Sequence, residues 1–426
     1  MKKTIRTFIA ATLGIGSMVA LSACGGVKAA KYEVGNPVKI GLICLHDDKS
    51  TYDANFINAF KEAAKDLGDK VTLEDACILT GVDENQACFD AAKDLVKKGC
   101  NVIFADSFGH QDYMLQAAKK WPEVQFCHAT GTNAKTSNLK NYHNAFASIY
   151  QGRYLAGYAA GLRLSNTNAN DFDGEKAVKV GYVGAFPYAE VKSGYTSWFI
   201  GLRSALNEKG LNTNNLTMSV EFTNSWYDVD REQSAAKKLI ADGAILISQH
   251  ADSMGAPGAC EEAKIPNVTY NIETKEKCPN TYLAYSRINW APYYKAVVNA
   301  VYEGKGIAGE LNSNWTGTIA TGSVEYNVNW DNMASDGALG VIADTVLFEA
   351  AAAEIIAGTR QVFDCDNFTV KGNKLTSYQA DTDGDFKGDT EVIEKVNGKD
   401  VFMESKYCSA PYFDIDIDGI SLPAGQ

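Results

Sequence analysis

The chain has 426 residues, 46% of them hydrophobic and 22% charged, which suits a globular protein with two or three separately packed lobes. Its formal net charge of −12 excludes nucleic acid and anionic lipid headgroups as partners. Phosphate recognition needs clustered Lys and Arg, and no basic run occurs beyond the N-terminus.

The first predicted element is that N-terminus. Lys2, Lys3 and Arg6 precede an apolar stretch from Phe8 to Leu21 that is too short to span a bilayer and reads as an export signal. It ends in Leu21-Ser22-Ala23-Cys24, which is similar to the cleavage box of bacterial lipoproteins. The expectation is a signal peptide over 1–23, a lipid on Cys24 and a tether over 24–37, holding the protein on the extracytoplasmic face of the cell membrane. Nine further cysteines follow. An odd number leaves at least one thiol free, and Cys260 with Cys278 is the expected disulfide. No CxxC pair is present to support a zinc site.

From Lys39 the pattern is regular. "VKIGLICL" is a continuous apolar run of buried parallel-strand type, and "NFINAFKEAAKDLG" carries apolar residues at helical spacing before stopping at Gly68. "KVTLEDACI", "NVIFADSFG" and "VQFCHATG" continue the strands, with helices between them. After Gly152 the alternation resumes through "KVGYVGAF", "LTMSVEF", "AILISQHADS" and "NVTYNIE". Strands alternating with helices of about a dozen residues specify parallel sheets covered on both faces. Two such blocks predict an α/β protein of two doubly wound lobes. Further on, "NWTGTIATGSVEYNVNW" alternates like exposed antiparallel strands and "DTVLFEAAAAEIIAGT" is a helix closed by Gly358.

Ligands of doubly wound sheets gather beyond the carboxyl ends of the strands. The turns there are unusually aromatic and acidic. Tyr52, Asp53 and Phe56 follow the first strand, Asp106 and Phe108 the third. Phe186, Tyr188 and Glu190 come next, then Asn224 and Trp226, His250 and Asp252, Asn271, and finally Arg287, Asn289 and Trp290. Large aromatics replace the small polar residues that turns favour. Two facing aromatic walls with a few amides and carboxylates suit a flat, polar-edged ring, each stacking contact being worth roughly 1–3 kcal/mol. Enzyme signatures are missing: there is no GxGxxG after the first strand, no GxxxxGK[ST], no GxSxG and no HExxH. Cys127 and His128 are adjacent and point to opposite faces of a strand. "DTDGDFKGDTEV" places oxygens at Asp381, Asp383, Asp385 and Asp389, the 1, 3, 5, 9 spacing of a calcium loop, although position twelve is Val392. A structural calcium there is the one candidate cofactor.

The stretches "NVIFADSFGHQD", "IYQGRYLAGYAAGL", "KVGYVGAFPYAEVKSG", "NSWYD", "QHADS" and "INWAPYY" together resemble the basic membrane protein family, the substrate-binding lipoproteins of bacterial ABC importers. The resemblance implies a class I periplasmic-binding-protein fold whose two lobes are joined by three crossovers. The N-terminal lobe would hold 38–146 plus 283–306, and the C-terminal lobe 147–282 plus 307–360. An Asp/Gly-rich extension over 361–426 would pack on the latter. It further implies a non-catalytic, monomeric receptor that captures a purine base or nucleoside and delivers it to permease subunits. The expected ligand-binding residues are Tyr52, Phe56, Phe108, Phe186, Glu190, Asn224, Trp226, Asp252, Asn271 and Trp290. Asn271 stands where nucleoside binders carry a ribose-holding Asp, which leans toward a free base. Two other readings stay open: the same fold serving a sugar or signalling molecule, and an extracellular enzyme or calcium-dependent interaction protein built on the Asp381 loop.

Overall fold

The computed structural model describes residues 27–423, so the signal peptide and Cys24 lie outside the described residues. In lobe one, strands β1 (Val38–Ile43), β2 (Val71–Thr72), β3 (Ile78–Leu79), β4 (Val102–Ala105), β5 (Gln125–Ala129) and β6 (Tyr142–Ala147) alternate with α1 (Thr51–Leu67), α2 (Gln86–Lys97), α3 (Gln111–Lys120) and the short α4 (Ala134–Ser137). Their pairings are all parallel. Side chains of β1 and β4 are buried on both faces, as the uninterrupted apolar runs require. The predicted second strand is divided into β2 and β3, which pair with opposite ends of β1.

Lobe two begins with α5 (Ile149–Thr167). It continues through β7 (Val178–Gly184), α6 (Ala189–Glu208), β8 (Leu216–Phe222), α7 (Val229–Ala241), β9 (Ala244–His250), α8 (Gly255–Ala263), β10 (Asn267–Tyr270) and β11 (Tyr282–Ile288). The chain then returns to lobe one, where α9 (Ala291–Tyr302) and α10 (Ile307–Leu311) join its core and β12 (Asn314–Gly317) pairs parallel with β6. It crosses back to β13 (Val324–Val328), which closes the second sheet antiparallel to β11, and to α11 (Gly337–Ile356). The chain thus passes between lobes three times, after β6, β11 and β12.

This corrects the predicted boundaries. Residues 283–288 belong to the second sheet, and the segment returned to lobe one runs from about 291 to 317. An apolar strand reads the same in either sheet, so periodicity does not assign β11. For the same reason the two strands expected as neighbours, β12 and β13, lie in different sheets.

Helices α5 and α6 form the centre of lobe two and meet at glycines. A Cβ on Gly157 would lie 1.9 Å from the Trp198 carbonyl oxygen, and one on Gly201 would lie 2.0 Å from that of Tyr154. The C-terminal extension adds β14 (Gln379–Ala380), β15 (Thr390–Glu391), β16 (Ile393–Val396), β17 (Lys399–Phe402) and β18 (Ile420–Ser421), the last lying parallel to β8. Its Phe363, Phe402 and Phe413 join the lobe-two core, with Phe363 and Phe413 stacked at 4.4 Å. It also touches lobe one: Lys135 Nζ donates to Thr382 Oγ1 at 2.9 Å and the Ser409 amide to Asn314 Oδ1 at 3.1 Å. None of the nine described cysteines is bridged, so the expected Cys260–Cys278 disulfide is absent. All nine are buried as small apolar groups.

Candidate ligand-binding site

The carboxyl ends of the two sheets face each other across a narrow cleft, the place where ligands of doubly wound sheets bind. Lobe one lines it with Leu45, His46, Tyr52, Asp53, Ser107, Phe108 and Thr130. Lobe two contributes Glu190, Trp226, His250, Asp252 and Tyr270. Each comes from the end of a strand or the turn and first helical residues beyond it. Ser50 caps α1 by accepting from the Asp53 amide, which turns Tyr52 and Asp53 toward the cleft. Trp226 lies just before Asp228, the cap of α7.

The lobes are closed on one another. The Thr51 amide donates across the gap to the Asp252 carbonyl at 2.8 Å. The Phe108 and Tyr188 rings approach to 6.2 Å, and those of His46 and Tyr227 to 5.7 Å. Phe186 and Tyr188 are stacked at 5.0 Å, and Phe186 meets Trp226 edge-on at 5.3 Å, bracing the indole from the side.

The carboxyl groups differ in state. Burial pulls Asp53 upward, but hydrogen bonds from His46 and Ser50 outweigh it and hold the group below the usual carboxylate range. Asp252 is pushed well above that range by burial first, and then by the negative charges of Glu232, Asp53 and Glu190. One wall therefore favours an ionised acceptor, and the other disfavours the charged form of its carboxyl. Burial lowers His250, keeping its imidazole neutral, with Nε2 3.4 Å from Glu190 Oε1. The lining has no Lys or Arg, so nothing there would balance a phosphate or carboxylate guest. The arrangement can hold a flat, uncharged or donor-rich ring and read both donors and acceptors on its edge.

A model described as "ABC transporter substrate-binding protein PnrA-like", that of the Bmp family, matches residues 40–336. The chain belongs to the Bmp family. A purine-binding protein of Brucella abortus is 31% identical over 271 residues, covering 64% of this chain and 67% of that protein. A putative ABC transporter glucose-binding protein of Haloferax volcanii is also 31% identical over 217 residues, 51% of this chain and 49% of its relative. An ABC solute-binding protein of Aeropyrum pernix superposes with a TM-score of 0.58 at 14% identity, covering 76% of this chain and 92% of that one. One from Conexibacter woesei superposes with 0.53 at 18% identity, over 76% and 98%. Those likenesses show the shared α/β fold of two lobes. As a Bmp protein the chain is an extracytoplasmic, membrane-associated solute receptor that works with permease subunits, and not an enzyme. Among the described residues no helix is long and apolar enough to cross a membrane.

Of the ten expected ligand residues, this Bmp cavity is lined by Tyr52, Phe108, Glu190, Trp226 and Asp252. Phe56 and Trp290 are corrected to core residues: they stack on each other at 4.3 Å, 2% and 1% exposed, beneath Tyr52. Phe186 supports Trp226 from outside the lining. Asn224, at φ 53°, shapes the turn and bonds through its amide to the Ala185 carbonyl. Asn271, at φ 72°, is behind the wall, where its side chain donates to Asp252 Oδ1 at 3.2 Å. Leu45, His46, Asp53, Ser107, Thr130, His250 and Tyr270 were not among the ten, although each ends a strand, belongs to the turn beyond it or, for Asp53, lies in the first turn of the helix that follows. Of the calcium-loop oxygens, those of Asp381, Asp383 and Asp385 converge, but Asp389 is outside the cluster. Lys387 already neutralises Asp385 at 2.5 Å, so the expected four-carboxylate set is not assembled.

Proposed function

We propose that this receptor captures a purine, as free base or nucleoside, between Phe108 and Trp226 and is tethered to the membrane by a lipid on Cys24. The observation that carries the reading is the cleft between two aromatic walls, with acidic edges and no Lys or Arg in its lining. The relative described as purine-binding supports it. Asn271 buttresses Asp252 from outside the lining, so the position expected to hold a ribose is withdrawn from the guest; this favours the free base.

Thermal denaturation against adenine, guanine, hypoxanthine, their nucleosides and glucose tests this directly. A purine at one hundred times its Kd should add about 2.7 kcal/mol of stability. Trp226→Ala should weaken purine binding by about 1–3 kcal/mol in isothermal titration, the usual range for a lost stacking plane. Phe56→Ala should instead lower stability while acting on affinity only indirectly. A response to glucose alone, matching the description of the Haloferax relative, would overturn the purine reading. For the anchor, Cys24→Ala is expected to move the protein from the membrane fraction to the soluble one on cell fractionation.

A further inference from the structure

Beneath the ligand cavity, three turns of lobe one bring together a group that solute capture leaves unexplained. Cys44, at the end of β1, Asp53 on α1 and Asp106 after β4 present ligand atoms all within 4.8 Å of one another, and all three residues are buried. Asp106 is 0% exposed; its Oδ1 accepts from the Leu45 amide at 3.1 Å, and its Oδ2 has no partner. Among the described residues, neither carboxylate is paired with Lys or Arg; their nearest cationic candidates are His46 at 3.5 Å from Asp53 and His110 at 3.9 Å from Asp106.

The histidine beside Asp106 is set as a ligand would be. His110 Nε2 lies 2.8 Å from the Val82 carbonyl, which can only accept, so Nε2 carries the proton. In the neutral ring that leaves Nδ1 as a bare lone pair. This atom is buried and unpartnered, and it lies 3.9 Å from Asp106 Oδ1. Two acceptors therefore face each other with no hydrogen bond between them. A ring fixed through one nitrogen by a backbone carbonyl, with the other left free, is the usual presentation of a metal-binding imidazole.

We infer that Cys44, Asp53 and Asp106 form a binding site for a divalent transition cation of the zinc class, with His110 beside Asp106 but outside the three-residue cluster, so that its ring must shift inward to add a fourth donor. The thiol of Cys44 favours zinc-like ions over calcium or magnesium, which prefer all-oxygen shells. A cation here compensates a buried acidic group that otherwise has no counter-charge. Asp53 also lines the ligand cavity, so the site is reached from the cleft when the lobes part. The inference does not depend on which solute the cleft takes.

The test uses the mature chain, stripped of metal by dialysis against a chelator and then titrated with Zn²⁺ or Co²⁺. The expected result is one equivalent bound per chain, with Co²⁺ giving the near-ultraviolet thiolate charge-transfer band. Cys44→Ser should abolish the band, and Asp106→Asn should weaken Zn²⁺ binding at least tenfold while circular dichroism shows both variants folded. Because the band reports a thiolate, binding at the Asp381 loop does not mimic it. The inference is overturned if no stoichiometric binding occurs, or if both variants bind as the parent does. It is equally overturned if Asp106→Asn stabilises the chain whether or not Zn²⁺ is present, since that outcome identifies a protonated acid instead of a metal ligand. Should Cys44→Ser fail to fold, His110→Ala supplies a further reading, with an expected loss of Zn²⁺ affinity.

Discussion

Gly157→Ala is expected to destabilise lobe two by on the order of 3 kcal/mol or more, at or beyond the upper end of ordinary overpacking. The added methyl would lie 1.9 Å from the Trp198 carbonyl oxygen, and the reciprocal contact at Gly201 is equally tight. Both obstacles are backbone atoms of the facing helix. No rotamer change relieves them, so α5 and α6 must separate and give up dispersion contacts along a fully packed crossing. Gly258→Ala in α8 is the control, because nothing lies within 4 Å of its Cβ; it should be neutral or stabilise by about 0.5–1 kcal/mol through the unfolded chain. Urea denaturation of the two variants measures the difference. Affinity should fall in the first variant as well. Arg153 on α5 is fully buried, its guanidinium 4.7 Å from the Tyr270 ring that lines the cavity, so displacing α5 disturbs that wall.

What could be read from the chain follows from what local pattern encodes. The alternation of apolar runs with helical spacing specified two doubly wound lobes, and the ends of those runs located the cleft. Tyr52, Phe108, Glu190, Trp226 and Asp252, all beyond those strand ends, line that cleft. Depth was not encoded: Tyr52 and Phe56 are one helical turn apart on the same face, yet one meets the cavity and the other is sealed against Trp290. Nor was sheet membership, which depends on long-range pairing, so β11 and β12 were placed in the wrong lobes. Asn271 looked like a ligand contact because its turn is at a strand end, but its left-handed backbone directs the amide to Asp252. In the extension, the alternating "DIDIDG" reads as an edge strand with one wet face. Ile415 and Ile417 are indeed buried while Asp414 and Asp416 bind Lys192 at 2.9 and 3.1 Å, but this stretch is extended without strand pairing.

Glu404→Gln is expected to stabilise the protein at alkaline pH by about 3 kcal/mol and to flatten its pH dependence. Glu404, in the extension, is 5% exposed, with Oε1 unpartnered and Oε2 accepting from the Tyr412 amide at 3.3 Å. Its surroundings are Ser193 of α6 and the phenols of Tyr150 and Tyr412, which supply no positive charge. Burial therefore raises its pKa from 4.5 to about 7, outweighing the hydrogen bonds that oppose it. Below pH 4.5 the group is protonated in folded and unfolded chains alike and costs nothing. Between 4.5 and 7 the unfolded chain ionises first and binds fewer protons, so stability falls as pH rises. Above 7 the loss is complete, each tenfold difference in proton affinity between the folded and unfolded chains being worth about 1.4 kcal/mol. Glu232, also raised by burial to about 7, acts with the same sign over the same window. The Gln variant should therefore remove the Glu404 share of the slope of unfolding free energy between pH 4.5 and 7, up to about 1.4 kcal/mol per pH unit, measured by denaturant titration at several pH values. An unchanged slope would mean that Glu404 is ionised in the folded protein with a counter-charge, which would require the extension to pack differently against α5 and α6.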